Sequence, residues 1–294
     1  MASWPVNLNK VEKVQDLHDE IRDNVKRALQ EDIGSGDLTA SLIPGGKTLS
    51  AAVISREEAV LCGTQWFEAC FLTLAPGTII AWLAEDGERV QAGQKLCEIK
   101  GPARALLTAE RSALNFLQLL SAVATQTRHF ADAVAGTKAA IVDTRKTLPG
   151  LRLAQKYAVT CGGGINHRVG LFDGILIKEN HIIAAGGIQP ALNQARKIAP
   201  PGVFIQIEVE SQQELVEALL IGAQMLLLDN FNLDQLRNAV TLTRRQAGEE
   251  VILEASGNIT LENVRQVAET GVDRISIGSL TKNIQAVDLS MRFE

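Results

Sequence analysis

The chain has 294 residues and a formal net charge of −5, with 46% hydrophobic and 21% charged residues. This composition is typical of a soluble globular protein and excludes a disordered or fibrous chain. An acidic chain with 4% aromatic residues lacks the basic field and stacking rings of a broad nucleic-acid interface. Any anionic ligand must therefore be small and bound by a local cluster. The length predicts two domains or one large barrel.

The cysteines and the uncharged stretches indicate in which cellular compartment the protein is expected. Cys62, Cys70, Cys97 and Cys161 form no CxxC pair, so neither a disulfide framework nor a thiolate zinc site is predicted. The N-terminal segment has no apolar signal-peptide core, and the longest uncharged stretch, residues 112–127, is too polar to span a bilayer. We therefore expect reduced thiols and a cytoplasmic protein that binds neither membranes nor nucleic acid.

The first third of the chain predicts a helix and a small sheet domain. Apolar residues recur every three or four positions and indicate an amphipathic helix over about residues 10–30. From Thr48 to Gly101, short β-type runs alternate with Asp-Gly and Ala-Gly turns. A helix is expected at Thr64–Leu74 inside this domain. Residues 107–134 predict one long helix followed by a second, which together connect two domains.

Beyond residue 138, short aliphatic runs alternate with helical segments. The runs are AAIVDT, GILIK, FIQIEVE, QMLLLD, VILEAS and RISIGS. Continuous aliphatic strands separated by helices indicate a parallel sheet covered by helices. A complete barrel of eight such units takes about 250 residues, which is more than this region provides. We therefore predict a reduced or irregular α/β barrel, with a doubly wound sheet as the alternative.

Each run ends in polar residues, and ligands bind at the carboxyl ends of strands in α/β folds. The residues concerned are Asp143 with Arg145, Lys178, Glu208 with Glu210, Asp229, Glu254 with Ser256, and Gly278 with Ser279.

Residues 143–181 form a basic segment, with six Lys or Arg against three acids. The segment carries a charge of +3, which leaves −8 for the rest of the chain. Its three consecutive glycines, 162–164, suggest backbone N–H groups that approach an anion, while arginines bind carboxylate or phosphate. Arg152 and Lys156, spaced i, i+4, are expected on a solvated helix face. Arg145 and Lys146 follow a buried strand and fit that interpretation poorly.

Acidic residues and glycine turns at the later strand ends complete the predicted site. Glu208, Glu210 and Asp229 suit Mg²⁺ on a diphosphate or positive charge developing on a sugar, and the alternative is a salt bridge to Lys178. The turns at residues 254–259 and 276–279 are where barrels commonly bind phosphate. The residues alone therefore indicate an α/β barrel enzyme for a phosphorylated sugar and an anionic co-substrate.

Several longer strings occur in order along nearly the whole chain. They are EDIGSGDLTA, AERSALNFLQLLSAVAT, DTRKTLPGLR, KYAVTCGGGINHRVGLFDGILIKENHI, EVE, LLLDNF, LEASGNI and IGSLTK. Together they resemble the quinolinate phosphoribosyltransferase family, also called nicotinate-nucleotide pyrophosphorylase (carboxylating). The resemblance implies an N-terminal α/β open sandwich followed by an incomplete, irregular α/β barrel. We place residues 1–113 in the sandwich domain, joined by the tail 283–294, and residues 114–282 in the barrel domain.

The resemblance implies a pentosyltransferase reaction of NAD biosynthesis. Phosphoribosyl passes from phosphoribosyl pyrophosphate to quinolinate with decarboxylation, which gives nicotinate mononucleotide, pyrophosphate and CO2. The implied cofactor is Mg²⁺, held mainly by the pyrophosphate group, with Glu208 or Asp229 as candidate protein ligand. The implied partners are the two substrates and a second subunit, because Arg111 would reach the site from the other member of at least a dimer.

The resemblance also assigns residues to each substrate. Those implied at the quinolinate carboxylates are Arg111, Arg145, His167, Arg168 and Lys178, with Thr144 beside them. Those implied around the phosphoribosyl group are Lys146, Glu208, Asp229, Ser256, Gly257, Asn258, Ile277, Gly278 and Ser279. Lys146, Lys178, Glu208 and Asp229 are the predicted catalytic residues. Glu208 and Asp229 would stabilise the oxocarbenium-like C1 and orient ribose hydroxyls or the metal.

Two other functions stay open from the sequence. A Schiff-base aldolase would use a lysine at a strand end beside acids, and Lys178 has such a position. A lipoyl or biotinyl carrier is suggested by residues 86–101, DGERVQAGQKLCEIKG, although no exposed hairpin turn carrying a lysine is evident there. We expect that segment to be a structural sheet.

Overall fold

The computed structural model describes residues 17–293. Contacts divide them into two compact units. The barrel unit comprises residues 129–146 and 164–278, and the sandwich unit comprises residues 17–128, 147–163 and 279–293. The domain boundary expected between residues 113 and 114 stays a prediction. No helix within residues 17–293 combines the length and hydrophobicity that a membrane crossing requires.

The sandwich unit begins with the predicted amphipathic helix, α1 (Leu17–Ile33). Ile21, Val25 and Leu29 are buried at intervals of four residues, because that spacing returns a side chain to the same helix face. Residues 10–16 of the predicted helix lie outside the described part of the chain.

An antiparallel sheet of four strands forms the body of the sandwich unit, in the order β12-β1-β5-β3. The strands are β1 (Thr48–Ser55), β3 (Ile79–Trp82), β5 (Lys95–Pro102) and β12 (Leu289–Phe293). The C-terminal strand β12 pairs with β1, with Met291 opposite Val53. The predicted small sheet domain is therefore present, and the end of the chain contributes an edge strand to it.

A shorter pair of strands and a helix complete this domain. Strands β2 (Ala59–Val60) and β4 (Arg89–Val90) pair with each other, and α2 (Thr64–Leu74) lies where the sequence predicts a helix. Trp66, Phe67 and Phe71 on α2 are fully buried in the core. The segment that resembles a carrier domain forms β4 and β5, so its lysines Lys95 and Lys100 lie within a strand.

The connector is one helix, α3 (Ala103–Ala133), of 31 residues. The prediction of two helices in this region was wrong. No glycine or proline interrupts residues 103–133, so nothing in the local sequence breaks the helix. Helix α4 (Arg152–Cys161) and the short α10 (Ser279–Lys282) also belong to the sandwich unit.

All six predicted parallel strands are present in the barrel unit. They are β6 (Ala140–Val142), β7 (Gly174–Ile177), β8 (Phe204–Val209), β9 (Met225–Asp229), β10 (Ile252–Ser256) and β11 (Arg274–Ser276). The helices between them are α5 (Glu179–Ala185), α6 (Ile188–Ile198), α7 (Gln212–Leu220), α8 (Leu233–Ala247) and α9 (Val264–Glu269).

The strand order β6-β11-β10-β9-β8-β7 is that of an incomplete barrel. The last strand, β11, pairs in parallel with the first, β6, with Ile275 opposite Ile141. Strands β6 and β7 form the two edges of this sheet, so the barrel is open between them. A doubly wound sheet reverses its strand order near the middle, which this one does not, so that alternative was wrong.

Candidate active site

Parallel strands bring their carboxyl ends to one edge of the sheet, and most of the predicted site residues lie at those ends or just after them. Thr144, Arg145 and Lys146 follow β6, and Lys178 follows β7 directly. Glu208 is the penultimate residue of β8, and Asp229 is the last residue of β9. The remaining predicted residues of the barrel unit are His167 and Arg168 before β7, Ser256, Gly257 and Asn258 after β10, and Ile277 and Gly278 after β11. Ser279 begins α10.

Two guanidinium groups lie close enough to repel each other. Arg168 donates from Nη1 to the Gly174 carbonyl at 3.0 Å, which fixes the side chain at the start of β7. Burial and the positive charge of Arg145 lower the pKa of Arg168. Two cations in a partly buried position favour a ligand with more than one negative charge, because it relieves their repulsion.

His167 is held within the protein by both ring nitrogens. The Arg168 N–H donates to Nδ1 at 2.7 Å, so the proton of the neutral ring is on Nε2. Nε2 contacts Gln206 Oε1 at 2.7 Å, and the ring is only 7% exposed. In this structure both ring nitrogens of His167 are therefore engaged within the protein, and its role at the quinolinate carboxylates stays a prediction.

A second residue fixes the same segment. The Asp143 carboxylate, at the end of β6, accepts from Asn166 Nδ2 at 2.6 Å and from the His167 N–H at 2.8 Å. Asp143 is fully buried. Asp143 thus ties residues 166 and 167, which precede β7, to the end of β6. Arg145 follows two residues after Asp143.

A buried group of polar residues lies beneath His167, and of its members only Glu254 was predicted from the sequence, as a polar residue at a strand end. Gln206 donates from Nε2 to Glu254 at 3.2 Å, and Arg274 Nε lies 3.4 Å from the same carboxylate. Glu254 and Arg274 are 0% and 1% exposed. Burial alone would raise the pKa of Glu254, but Arg274 and His167, together with hydrogen bonds from Gln206 and Ser276, lower it overall. This ion pair supports His167 from inside the sheet.

Three carboxylates and one ammonium form the acidic part of the site. Ligand oxygens of Glu208, Glu210 and Asp229 lie within 4.8 Å of one another. Lys178 Nζ is 3.5 Å from Glu208, so the salt bridge considered as an alternative is present without ligands. Burial raises the pKa of Glu208, Lys178 opposes that change and Asp229 adds to it. Glu210, which the resemblance assigns to neither substrate, belongs to this group.

The position of Lys178 disfavours a Schiff-base mechanism. Its side chain is 51% exposed and paired with Glu208, which stabilises the charged ammonium. A Schiff-base lysine needs a neutral amine, usually produced by desolvation or a neighbouring cation.

Two glycine turns lie at the ends of β10 and β11. Gly257 has φ +100 and Asn258 has φ +51, a left-handed backbone that glycine and asparagine adopt most readily. A Cβ at Gly278 would lie 2.8 Å from Lys146 Cδ and 3.7 Å from its Nζ. The missing side chain at Gly278 thus lets Lys146 cross the turn, where its ammonium and the backbone N–H groups can meet one phosphate.

Two interpretations of the basic segment were wrong. The Gly162 and Gly163 N–H groups donate to Ala158 and Thr160 carbonyls, so they end α4 instead of cradling an anion. A Cβ at Gly162 would overlap Ala124 O, which explains the glycine by close packing. Lys156 is fully buried, so it does not lie on a solvated helix face.

Arg111 lies on α3 in the sandwich unit and is exposed. It lines a cavity of that unit together with residues of α1 and α3, including Glu31, Asp32, Ser112 and Asn115. This placement presents a cation at the surface of the unit.

Comparison with known proteins assigns the family. Residues 37–121 match the model of the quinolinate phosphoribosyl transferase N-terminal domain, and residues 123–292 match that of the C-terminal domain. The chain belongs to the quinolinate phosphoribosyltransferase family. A curated member, nicotinate-nucleotide pyrophosphorylase [carboxylating] of Mycobacterium leprae, is 42% identical over 280 residues, covering 93% of this chain and 97% of that protein.

Further members of the family show the same similarity. A probable nicotinate-nucleotide pyrophosphorylase [carboxylating] of Bacillus subtilis is 41% identical over 261 residues, which is 89% of each chain. The solved nicotinate-nucleotide pyrophosphorylase of Francisella tularensis superposes with a TM-score of 0.91 at 43% identity, covering 95% of this chain and 98% of that one. The sandwich followed by an incomplete barrel is therefore the fold of this family.

Proposed function

We propose that this chain transfers phosphoribosyl from phosphoribosyl pyrophosphate to quinolinate and releases pyrophosphate and CO2, giving nicotinate mononucleotide for NAD biosynthesis. The main observation that supports this proposal within the family is the pair of neighbouring guanidinium groups of Arg145 and Arg168. They match a pyridine with two adjacent carboxylates, because two neighbouring cations favour a ligand with two negative charges.

Quinolinate binds through charge-assisted hydrogen bonds. Arg145 and Arg168 hold the carboxylates, with Lys178 and Thr144 beside them, and each such bond contributes about 1.5–3 kcal/mol. His167 acts as a positioning residue, because its Nδ1 accepts from the Arg168 N–H and its ring is held by Gln206. The ring nitrogen N1 is thereby directed at C1 of the ribose.

The phosphoribosyl group binds along the strand ends from β8 to β11. The turns at residues 256–258 and 278–279 supply N–H groups to the 5-phosphate, whereas the Ile277 N–H already donates to the Val142 carbonyl at 2.9 Å. Lys146 crosses the second turn. Glu208 and Asp229 lie where positive charge develops at C1. The N1 lone pair forms the bond to C1 as the bond from C1 to the pyrophosphate oxygen breaks, and the two carboxylates stabilise the cationic C1 between these events.

The acidic residues fit Mg²⁺, which we propose as the cofactor. Hard carboxylate oxygens are its preferred protein ligands, and those of Glu208, Glu210 and Asp229 are close enough to share one ion. When bound, Mg²⁺ neutralises charge on the pyrophosphate leaving group. Glu208 and Asp229 are its candidate protein ligands, with most of its coordination supplied by the pyrophosphate itself.

Decarboxylation follows from the charge on the alkylated ring. Once N1 is bonded to C1 it is cationic and accepts the electron pair released when the bond from C2 to its carboxylate breaks. CO2 leaves and C2 takes up a proton. Residues that hold the second carboxylate keep the ring in place during this step.

We also propose that the active unit is at least a dimer in which Arg111 acts in trans. Arg111 is exposed on α3, outside the barrel unit that holds the other predicted quinolinate residues. A neighbouring subunit would supply it as a further cation for the quinolinate carboxylates.

A direct assay tests the reaction. The purified chain is incubated with phosphoribosyl pyrophosphate and quinolinate labelled at the 2-carboxylate, with and without Mg²⁺, and labelled CO2 and pyrophosphate are measured. We expect equal amounts of both products, formed only with Mg²⁺. Nicotinate serves as the control substrate, and its turnover in place of quinolinate would contradict the proposal.

A further inference from the structure

Two thiols that the proposed reaction does not use lie together in the sandwich unit. Cys62 follows β2 and is completely buried, whereas Cys161 is the last residue of α4 and is partly exposed. The sulfur atoms of the two thiols lie within 4.8 Å of each other and of an Asp86 carboxylate oxygen. They come from distant parts of the sequence, so only the fold brings them together.

Both cysteine backbones are fixed by neighbouring elements. Ser121 on α3 accepts from the Cys62 N–H at 3.0 Å and donates to the Cys62 carbonyl at 3.2 Å. The Cys161 carbonyl accepts from Arg128 Nη2 at 3.2 Å. The sulfur atoms are therefore kept as neighbours, and rotation of the two side chains is the movement that would join them.

The two thiols differ in acidity. Burial raises the pKa of Cys62 well above its ordinary value, whereas the hydrogen bond that Cys62 donates lowers the pKa of Cys161. Cys161 is thus the thiol that forms a thiolate more readily, and it is also the more accessible of the two. One reactive thiolate beside a buried resolving thiol is the arrangement of a redox-sensitive pair.

The third member of the cluster favours this chemistry over metal binding. The Asp86 carboxylate already accepts hydrogen bonds from the Gly63 and Thr64 N–H groups, both at 3.2 Å, and from the Tyr157 hydroxyl at 2.9 Å. It is committed to the start of α2 and to α4. The two sulfur atoms alone are too few for a structural metal site, which takes four ligands.

We propose that Cys62 and Cys161 form a reversible disulfide when the protein meets a peroxide. The Cys161 thiolate attacks hydrogen peroxide, which is reduced to hydroxide as the sulfur becomes a sulfenic acid. The Cys62 thiol then attacks that sulfur, the S–S bond forms, and the sulfenic oxygen leaves as water. Two thiols lose two electrons in total, the peroxide gains them, and a thiol reductant restores the pair.

Mass spectrometry of the whole folded chain tests the proposal. The reduced protein is treated with hydrogen peroxide, alkylated, digested with trypsin and searched for linked peptides. We expect peptide 57–89 joined to peptide 157–168, with the link lost after dithiothreitol. Peptide 57–89 also contains Cys70, so the link must persist in Cys70→Ser and disappear in Cys62→Ser. Cys97→Ser is the matched control, because burial raises the pKa of Cys97 to about 12, as it does for Cys70.

A second measurement does not depend on any variant. A disulfide that closes a loop of about 100 residues restricts the unfolded chain, so the oxidised protein should unfold at least about 2 °C higher and return to its former temperature on reduction. A thiol modified only to sulfinic acid, or no link while the partly exposed Met291 is oxidised, would overturn the proposal. So would stoichiometric Co²⁺ binding with a thiolate charge-transfer band, which would make the pair a metal site instead.

Discussion

Lys178 Nζ lies 3.5 Å from a carboxylate oxygen of Glu208, which joins a residue predicted at one substrate to a residue predicted at the other. The ammonium holds down the pKa of a carboxyl group that burial raises. Binding of the quinolinate dianion would draw Lys178 towards the new carboxylate. The same event therefore alters the charge environment in which Glu208 must act at C1.

The pH profile should report this pairing. Glu208 is useful at C1 only when ionised, so activity falls as the pH drops through its raised pKa. Lys178→Met removes the cation that lowers this pKa, so the acidic limb of kcat/KM for phosphoribosyl pyrophosphate should move to higher pH. The residual activity of the variant is measured across acidic and neutral pH, because a carboxyl group of raised pKa titrates above its ordinary range. A limb that stays in place or moves to lower pH would contradict the role of Glu208.

Loss of either guanidinium should weaken quinolinate binding without unfolding the chain. Removing one charge-assisted bond of 1.5–3 kcal/mol corresponds to a rise of about 10- to 100-fold in KM for quinolinate in Arg145→Ala or Arg168→Ala. Arg237→Ala is the matched control, since Arg237 is exposed on α8 and forms a surface ion pair with Asp234 at 2.8 Å. Circular dichroism checks the fold, and wild-type turnover in either test variant would refute the assignment.

Subunit mixing should restore activity if Arg111 acts in trans. Arg111→Ala and Lys178→Ala are each expected to be inactive. In a hybrid dimer one site has both intact residues, so equal mixing should recover about one quarter of wild-type activity once subunits exchange at random. Exchange is verified with differently tagged chains. No recovery despite proven exchange would place Arg111 in the site of its own subunit or outside both.

Breaking the buried ion pair should destabilise the barrel unit. Glu254→Gln leaves the Arg274 charge buried without its partner, which costs about 3–5 kcal/mol in the free energy of unfolding. Urea unfolding measures the loss. The double variant Glu254→Gln/Arg274→Met should be more stable than Glu254→Gln alone, since it removes the orphaned charge. A single variant as stable as wild type would show that the pair contributes little.

The ion pair of Glu254 and Arg274 should also make the stability of the protein depend on pH. The pKa of Glu254 is lowered in the folded chain, so its stabilising contribution is present above the unfolded carboxyl pKa and is lost as the pH falls through the folded value. Comparing wild type with the double variant across acidic pH isolates this contribution. The difference in their free energies of unfolding should shrink as the pH is lowered.

Adding one methyl group at Gly278, in the turn after β11, should weaken the binding of phosphoribosyl pyrophosphate but not that of quinolinate. In Gly278→Ala the new Cβ would lie 2.8 Å from Lys146 Cδ, so the flexible lysine must move away from the turn. We expect KM for phosphoribosyl pyrophosphate to rise while KM for quinolinate and the unfolding temperature change little. Gly77→Ala is a suitable control, because nothing lies within 4 Å of a Cβ there. Equal rises in both KM values would indicate a general distortion.

The sequence predicted the strands well because each is a continuous aliphatic run with polar ends. It failed on relationships set by packing between distant elements. Lys156 follows Arg152 at helical spacing, but periodicity does not reveal which face another element covers. Gly162 and Gly163 resembled an anion cradle, yet their N–H groups complete a helix end.

The ion pair buried under His167 could have been predicted from the sequence. Glu254 lies within an aliphatic run and Arg274 is the first residue of the next strand, and the parallel register of β10 and β11 places them opposite each other. Opposite charges in two buried strands indicate a pair, because neither is stable there alone. Gln206 carried no such signal, since one amide in a strand has many uses.

The two outermost pairings involve the last strands of the chain. Strand β11 completes the parallel sheet against β6, and β12 completes the antiparallel sheet against β1. Contacts between segments so far apart form slowly, because the intervening loop must first be ordered. Both sheets therefore remain unfinished until synthesis has reached the C-terminal residues. A ribosome-bound chain that stops before β11 would expose apolar strand edges and would require chaperone protection.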